Sequence, residues 1–302
     1  ILVIDPHPDD ESFSWGGTLA KYSQMGADIH LLVLSNGEKG KITFTQGERI
    51  LTRKIESSEE NYLAELRQKE CFRAAENLGI EKENIEFAGL PNLGINQNAI
   101  QIIANSMRRL DPHIIISFDE TGTSRPTSED HSWSGIAAFA AIRILLEKEF
   151  GKLEPGSEKE ILTHPNSSFK RLATYNLPNV KDFLAEFASL NLPEEDLTII
   201  DVRGYLEKKD KACRAHETQA HLYKYFTSVN LLSNPFEAFY ERISLIPTCK
   251  GKNDLLFGLD SPVRKITSTR FPEDEARFSS TDPNFYRTIY QHSQIANQTK
   301  IQ

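Results

Sequence analysis

Five consecutive residues near the start of the chain, His7-Pro8-Asp9-Asp10-Glu11, gather an imidazole and three carboxyls into one short segment. His7 and Asp10 are three apart, so a tight turn or a first helical turn brings both side chains to one side. There a ring nitrogen and a carboxylate oxygen can bind one divalent ion. Asp9 cannot share their direction in a regular helix. In a turn it can face a water at such an ion without binding the ion itself, which is the position a general base requires. A plainer assignment uses the same residues: Asp9 or Asp10 caps the following helix and His7 merely ends a strand. Two ligands do not complete a metal site, so both assignments stand on these residues.

The elements that must position this segment are readable around it. Ile1-Leu2-Val3-Ile4 is an apolar, β-branched run cut off by Pro6 and Pro8, the pattern of a buried strand that ends abruptly. A buried parallel strand delivers its following loop to the sheet edge that holds ligands in open α/β folds. A helix over 16–25 with Gly26 as its stop leads to a second buried strand over 27–35, completing a βαβ unit with parallel pairing. The glycine-punctuated loop Asn36-Gly37-Glu38-Lys39-Gly40 then falls at the same edge as His7.

Residues 41–62 are polar and lack clean periodicity, which predicts an exposed insertion or flap. A helix follows over 63–79, where Arg67 and Glu70 have the spacing of a helix-surface ion pair. Strands at 85–90 and 113–118 bracket an amphipathic helix over 98–110. The second of them opens into a long polar loop from Asp119 to His131 before a helix over 132–149. Further strands are expected at 171–175 and 197–202, with a helix over 208–219. The fold class predicted is α/β, a Rossmann-like, mostly parallel sheet flanked by helices over residues 1–245. Residues 246–302 form a C-terminal extension packed on the same domain.

Composition narrows the function classes. At 302 residues the chain can bury a substantial core, and 39% hydrophobic with 26% charged residues is ordinary for a globular protein. A net charge of -8 leaves no basic excess to release counterions from a nucleic acid. No run of about 18 apolar residues marks a membrane span. Cys71, Cys213 and Cys249 are widely spaced and odd in number, showing neither a zinc-finger nor a disulfide framework. A reducing, cytoplasmic location is therefore expected, with residues upstream of Ile1 expected as well because the chain opens in a strand without Met.

The motifs resemble the PIG-L/LmbE-like zinc N-deacetylases, which remove acetyl groups mostly from N-acetylglucosamine-containing molecules. The resemblance rests on His7-Pro8-Asp9-Asp10-Glu11, the Gly37-Glu38-x-Gly40 turn, Arg67-x-x-Glu70 with Ala74 and Leu78-Gly79, and Asp130-His131. Lys211-x-x-x-Ala215-His216-x-Thr218-Gln219 and Glu237-Ala238-Phe239 extend it to about residue 240. It implies zinc held by His7, Asp10 and His131, with ferrous iron suited to the same ligand set. It also implies Asp9 as the general base, Arg67 holding the sugar, His216 closing the pocket or stabilising its wall where it does not simply pack at a helix end, and Glu11 behind the ligands, orienting His7 or bracing the loop. The implied substrate is a small amino-sugar conjugate, and a homo-oligomer is allowed.

The chain departs from the family pattern at Ser128, which stands where the first histidine of the usual His-x-x-His lies against the substrate carbonyl. A serine donates a neutral hydrogen bond but carries no positive charge. Loss of one such donor typically costs about 10²- to 10³-fold in rate. His216 and His221 are the candidates to compensate. The alternatives are a metal-dependent hydrolase of another bond, or a sugar-binding member without catalysis.

Overall fold

The structure, a computed structural model, describes residues 1–46, 49–91, 97–118, 129–150, 171–175, 197–244, 253–256 and 268–269. Ser128, Asn92 and most of the extension beyond 245 lie outside these residues. Strand β1 (Leu2–Asp5) is buried along its whole length and pairs in parallel with β2 (His30–Val33) on one side and β6 (Ile114–Phe118) on the other. Beyond β2 lies β5 (Ile85–Phe87), and beyond β6 lies β7 (Arg171–Tyr175), both parallel. The antiparallel strand β9 (Phe236–Ser244) follows, pairing also with β8 (Leu197–Asp201) and β10 (Ser268–Thr269).

Period-two side-chain direction explains why this sheet is covered on both faces. Leu2, Ile4 and Leu32 point into a core with Ile100, Ile103 and Met107 of α4 (Gln97–Leu110) and Ile136 and Phe139 of α5 (Glu129–Phe150). Val3, Leu31 and Ile116 point the other way, onto Leu19 and Tyr22 of α2 (Gly16–Gln24) and Ala74 and Leu78 of α3 (Glu60–Leu78). In the described part of the extension, Leu255 is buried in this second core and Tyr22 Oη donates to Asp254 Oδ1 at 2.8 Å.

Chain order along the sheet runs outward from β1 through β2 to β5, then returns to the opposite side of β1 with β6. The crevice at this reversal, beyond the carboxyl ends of β1 and β6, is where open α/β sheets bind ligands. His7 follows β1 and His131 follows β6.

Within the exposed insertion expected over residues 41–62 the structure shows regular strands. Lys41–Gln46 (β3) and Arg49–Lys54 (β4) form an antiparallel hairpin, with Phe44 opposite Leu51, and α3 begins at Glu60. The alternation in Lys41-Ile42-Thr43-Phe44 is a strand pattern that the surrounding charges obscured.

Candidate active site

The backbone after β1 folds back at once: the amides of Asp9 and Asp10 both donate to His7 O, at 3.0 and 3.4 Å. The short helix α1 (Asp10–Phe13) then starts, with Asp9 at its N-cap position but making no side-chain cap bond. Instead Asp10 Oδ2 accepts from the His7 amide at 3.0 Å and lies 3.3 Å from His7 Nδ1. Its other oxygen, Oδ1, is 2.9 Å from His131 Nε2. A capping role for the two aspartates is thereby set aside. His7, Asp10 and His131 each offer a ligand atom, and these atoms lie within 4.8 Å of one another.

Helix α5 begins at Glu129, so Asp130 and His131 occupy its first turn rather than the end of a loop. Phe118, the last residue of β6, packs edge-on against the His131 ring with centroids 4.4 Å apart. Asp130 Oδ2 sits 3.1 Å from His7 Nε2. Asp130-His131 stood in the sequence as a motif pair without a role for its acid; the 3.1 Å contact to His7 supplies one.

Arg67 and Glu70 do not pair with each other. Both are buried, and each reaches a different loop. Arg67 Nη2 donates to Asp9 Oδ2 at 2.8 Å and to Pro8 O at 3.2 Å, while Nη1 donates to Gly37 O at 3.1 Å. This accounts for the two glycines of the following turn. A Cβ on Gly37 would lie 2.3 Å from Arg67 Nη1, and one on Gly40 2.9 Å from the same atom. Gly37 also has φ +68°, the left-handed region that favours glycine. Glu70 instead accepts from Thr218 through both its amide, at 2.8 Å, and its hydroxyl, at 2.6 Å.

His216 follows α6 (Leu206–Ala215) and lies beneath the loop of His7 to Asp10, away from the cleft surface. Its Nε2 is 2.7 Å from Glu11 Oε1 and 3.2 Å from Ser12 Oγ, and both His216 and Glu11 side chains are fully buried. Glu11 therefore braces the loop through His216 rather than through His7. Gln219, three residues on, lines the cleft and donates to Lys41 O at 3.0 Å. His221 Nδ1 lies 2.7 Å from Thr43 Oγ1 in the hairpin. Glu237 accepts from the amides of Gly17 and Thr18 at the start of α2 and from Lys209 Nζ at 2.6 Å, closing a buried pair behind the site.

The cleft over these residues has a volume of about 500 Å³, with His7, Asp9, Asp10, Arg67, Asp130 and His131 on its floor and Trp133 and Leu222 among its apolar walls. A space of this size suits a small ligand. Its floor favours positive charge. Burial works against a charged His7 imidazole, but hydrogen bonds to Asp10 and Asp130 outweigh it and push His7 up to about 9. Burial likewise works against the Asp10 carboxylate, yet the two histidines hold it well below its ordinary range. Behind them the buried Asp5 carboxyl is pushed well above its usual range by burial and by Asp10, Glu11 and Asp9. Two imidazoles and a carboxylate converging in an acidic basin fit a divalent cation.

Residues 2–142 match the PIG-L family model, described as GlcNAc-PI de-N-acetylase. The chain is similar to the 1D-myo-inositol 2-acetamido-2-deoxy-alpha-D-glucopyranoside deacetylase of Thermomonospora curvata, being 25% identical over 246 residues, 72% of this chain and 80% of that protein. In structure it resembles the N,N'-diacetylchitobiose deacetylase of Pyrococcus horikoshii, with a TM-score of 0.56, 22% identity, and coverage of 80% of this chain and 82% of that one. It also resembles the 4-carboxy-2-hydroxymuconate hydratase of Pseudomonas putida, with a TM-score of 0.55, 23% identity, and coverage of 84% and 98%. At these identities the structural likeness speaks for the fold alone, and the fold serves a hydratase as well as a deacetylase. The match over residues 2–142 contains His7, Asp9, Asp10, Arg67 and His131, and over that segment the chain is similar to the PIG-L family.

Proposed function

We propose that this protein is a metal-dependent N-deacetylase that hydrolyses the acetamide of a small N-acetylglucosamine-containing conjugate and releases acetate. The observation that carries this reading is the convergence of His7, Asp10 and His131 beside a separately held Asp9 on the floor of one cleft. His7, Asp10 and His131 would hold zinc, or ferrous iron on the same ligand chemistry. Such a cation, when bound, lowers the pKa of water and polarises a carbonyl.

The chain's own residues supply the rest. Asp9 accepts the proton of the attacking water, and it is held for this by Arg67, which grips Oδ2, at a position that lines the cleft. After the tetrahedral stage the same carboxyl returns the proton to the departing amine. Arg67 lines the same floor and would hold the sugar from there, its present partners being Asp9, Pro8 and Gly37. The substrate class follows the deacetylase named among the relatives, and Ser128 would take the position of the family's first motif histidine, facing the substrate carbonyl.

Metal content and amine release from N-acetylglucosamine conjugates, compared between the native protein and Asp9→Asn, test this reading. About one metal per chain with release that depends on Asp9 is the expected result. Bound metal with no acetyl sugar cleaved would mean that the serine at position 128 has ended deacetylation, and a binding role or hydrolysis of another bond would replace it.

A further inference from the structure

The two nitrogens of the His7 ring face two different carboxylates. Nδ1 is 3.3 Å from Asp10 Oδ2, on the side where Asp10 and His131 converge. Nε2, on the other side of the ring, is 3.1 Å from Asp130 Oδ2. A neutral imidazole has one N–H and one lone pair, and the partner of one nitrogen decides which role the other takes. With a cation taking the lone pair of Nδ1, the ring is neutral and its one N–H sits on Nε2, where the Asp130 carboxylate accepts it.

We propose that Asp130 is a positioning residue for the metal centre: it holds the Nε2–H of His7, fixing the tautomer and ring orientation that aim Nδ1 at the cation. The inference rests on the metal reading above and goes beyond it by giving a role to a residue outside the ligand set. Asp130 and His131 are neighbours in the first turn of α5. One helical turn therefore supplies a ligand directly and orients a second ligand from the opposite side of the β1/β6 crevice. Docking of α5 is coupled in this way to the geometry of both histidines.

A bland role also exists for Asp130, an acid favoured by the dipole at a helix start. That role predicts no effect on metal affinity. A direct ligand role predicts a change in coordination number. Zinc affinity measured by competition with a chromophoric chelator, in wild type, Asp130→Asn and Asp130→Ala, separates these, together with zinc-edge X-ray absorption on the loaded proteins. The expected result is roughly 10- to 100-fold weaker zinc binding in Asp130→Ala, the range for loss of an outer partner of a ligand histidine. Asp130→Asn, which keeps an oxygen acceptor, falls between, and the coordination number is the same in all three. Equal affinities overturn the proposal, as does loss of one oxygen neighbour of zinc in the variants. Should Asp130→Ala fail to fold, as judged by thermal unfolding of the metal-free protein, Asp130→Asn decides by the same criteria. A wild-type protein that takes up no zinc or ferrous iron would remove the metal reading itself, whereas uptake that is indifferent to Asp130 removes only this inference.

Discussion

Arg67→Ala tests how the proposed base is held. In the native protein the Arg67 and Asp9 side chains are only 4% and 7% exposed, and their 2.8 Å contact is accompanied by donation to Pro8 O and Gly37 O. Truncation leaves the Asp9 carboxylate buried without its cation and two carbonyls without their donor. Breaking a buried pair from one side costs about 3–5 kcal/mol, which corresponds to a drop of roughly 6–20 °C in Tm at about 2–4 °C per kcal/mol. The informative assay is a double-mutant cycle by urea unfolding in chelator, with Asp9→Asn as the second change. Asparagine removes the charge that makes the orphaned site costly, so the Arg67→Ala penalty should shrink in that background, with a coupling on the order of 1–3 kcal/mol. Arg67→Lys should fall between, because a single ammonium cannot serve three acceptors spread across two loops. Deacetylation by Arg67→Ala should fall at least about a hundredfold, the typical effect of misplacing a reacting group by an ångström. Additive penalties in the cycle would refute the reasoning, since they would mean that Arg67 stabilises the fold without holding Asp9.

Two further outcomes follow from neighbouring geometry. Gly37→Ala should lose about 1–2 kcal/mol for its left-handed backbone and also lose activity, because its Cβ would displace the Arg67 guanidinium. Gly26→Ala is the control, with φ +87° and nothing within 4 Å of its Cβ; equal activity loss in both variants would dismiss the clash. Burial alone would lower the His216 pKa, but the charge and hydrogen bond of Glu11 raise it above the ordinary value. A raised folded-state pKa stabilises fully below the unfolded value, about 6.5, and the contribution fades as pH climbs through the folded one. Urea unfolding of wild type and His216→Gln should therefore differ most in mild acid and converge in alkali; a pH-independent gap would count against a charged His216.

The local chemistry of the site was legible in the chain because it lies within short segments. A β-branched run stopped by prolines, with a histidine and acids directly behind it, dictates a strand that ends at a reactive loop, and the βαβ periodicity dictates the parallel sheet. The three-residue spacing of His7 and Asp10 likewise sufficed to put them on one side of a turn. What the sequence could not decide was partnership across the sheet. Arg67 and Glu70 have the spacing of a surface pair, yet α3 is pressed into the core, so each buried charge must find a partner in another loop: Asp9 for one, Thr218 for the other. Between closing the pocket and packing at a helix end the sequence left His216 open, and packing puts it beneath the cleft against Glu11. Asp130 meets His7 only because the strand order reverses at β1, carrying the start of α5 to the loop after the first strand. Spacing along the chain governs contacts within a turn, while contacts between residues far apart in the chain are set by packing, and the tertiary structure alone assigned Arg67 to Asp9, His216 to Glu11 and Asp130 to His7.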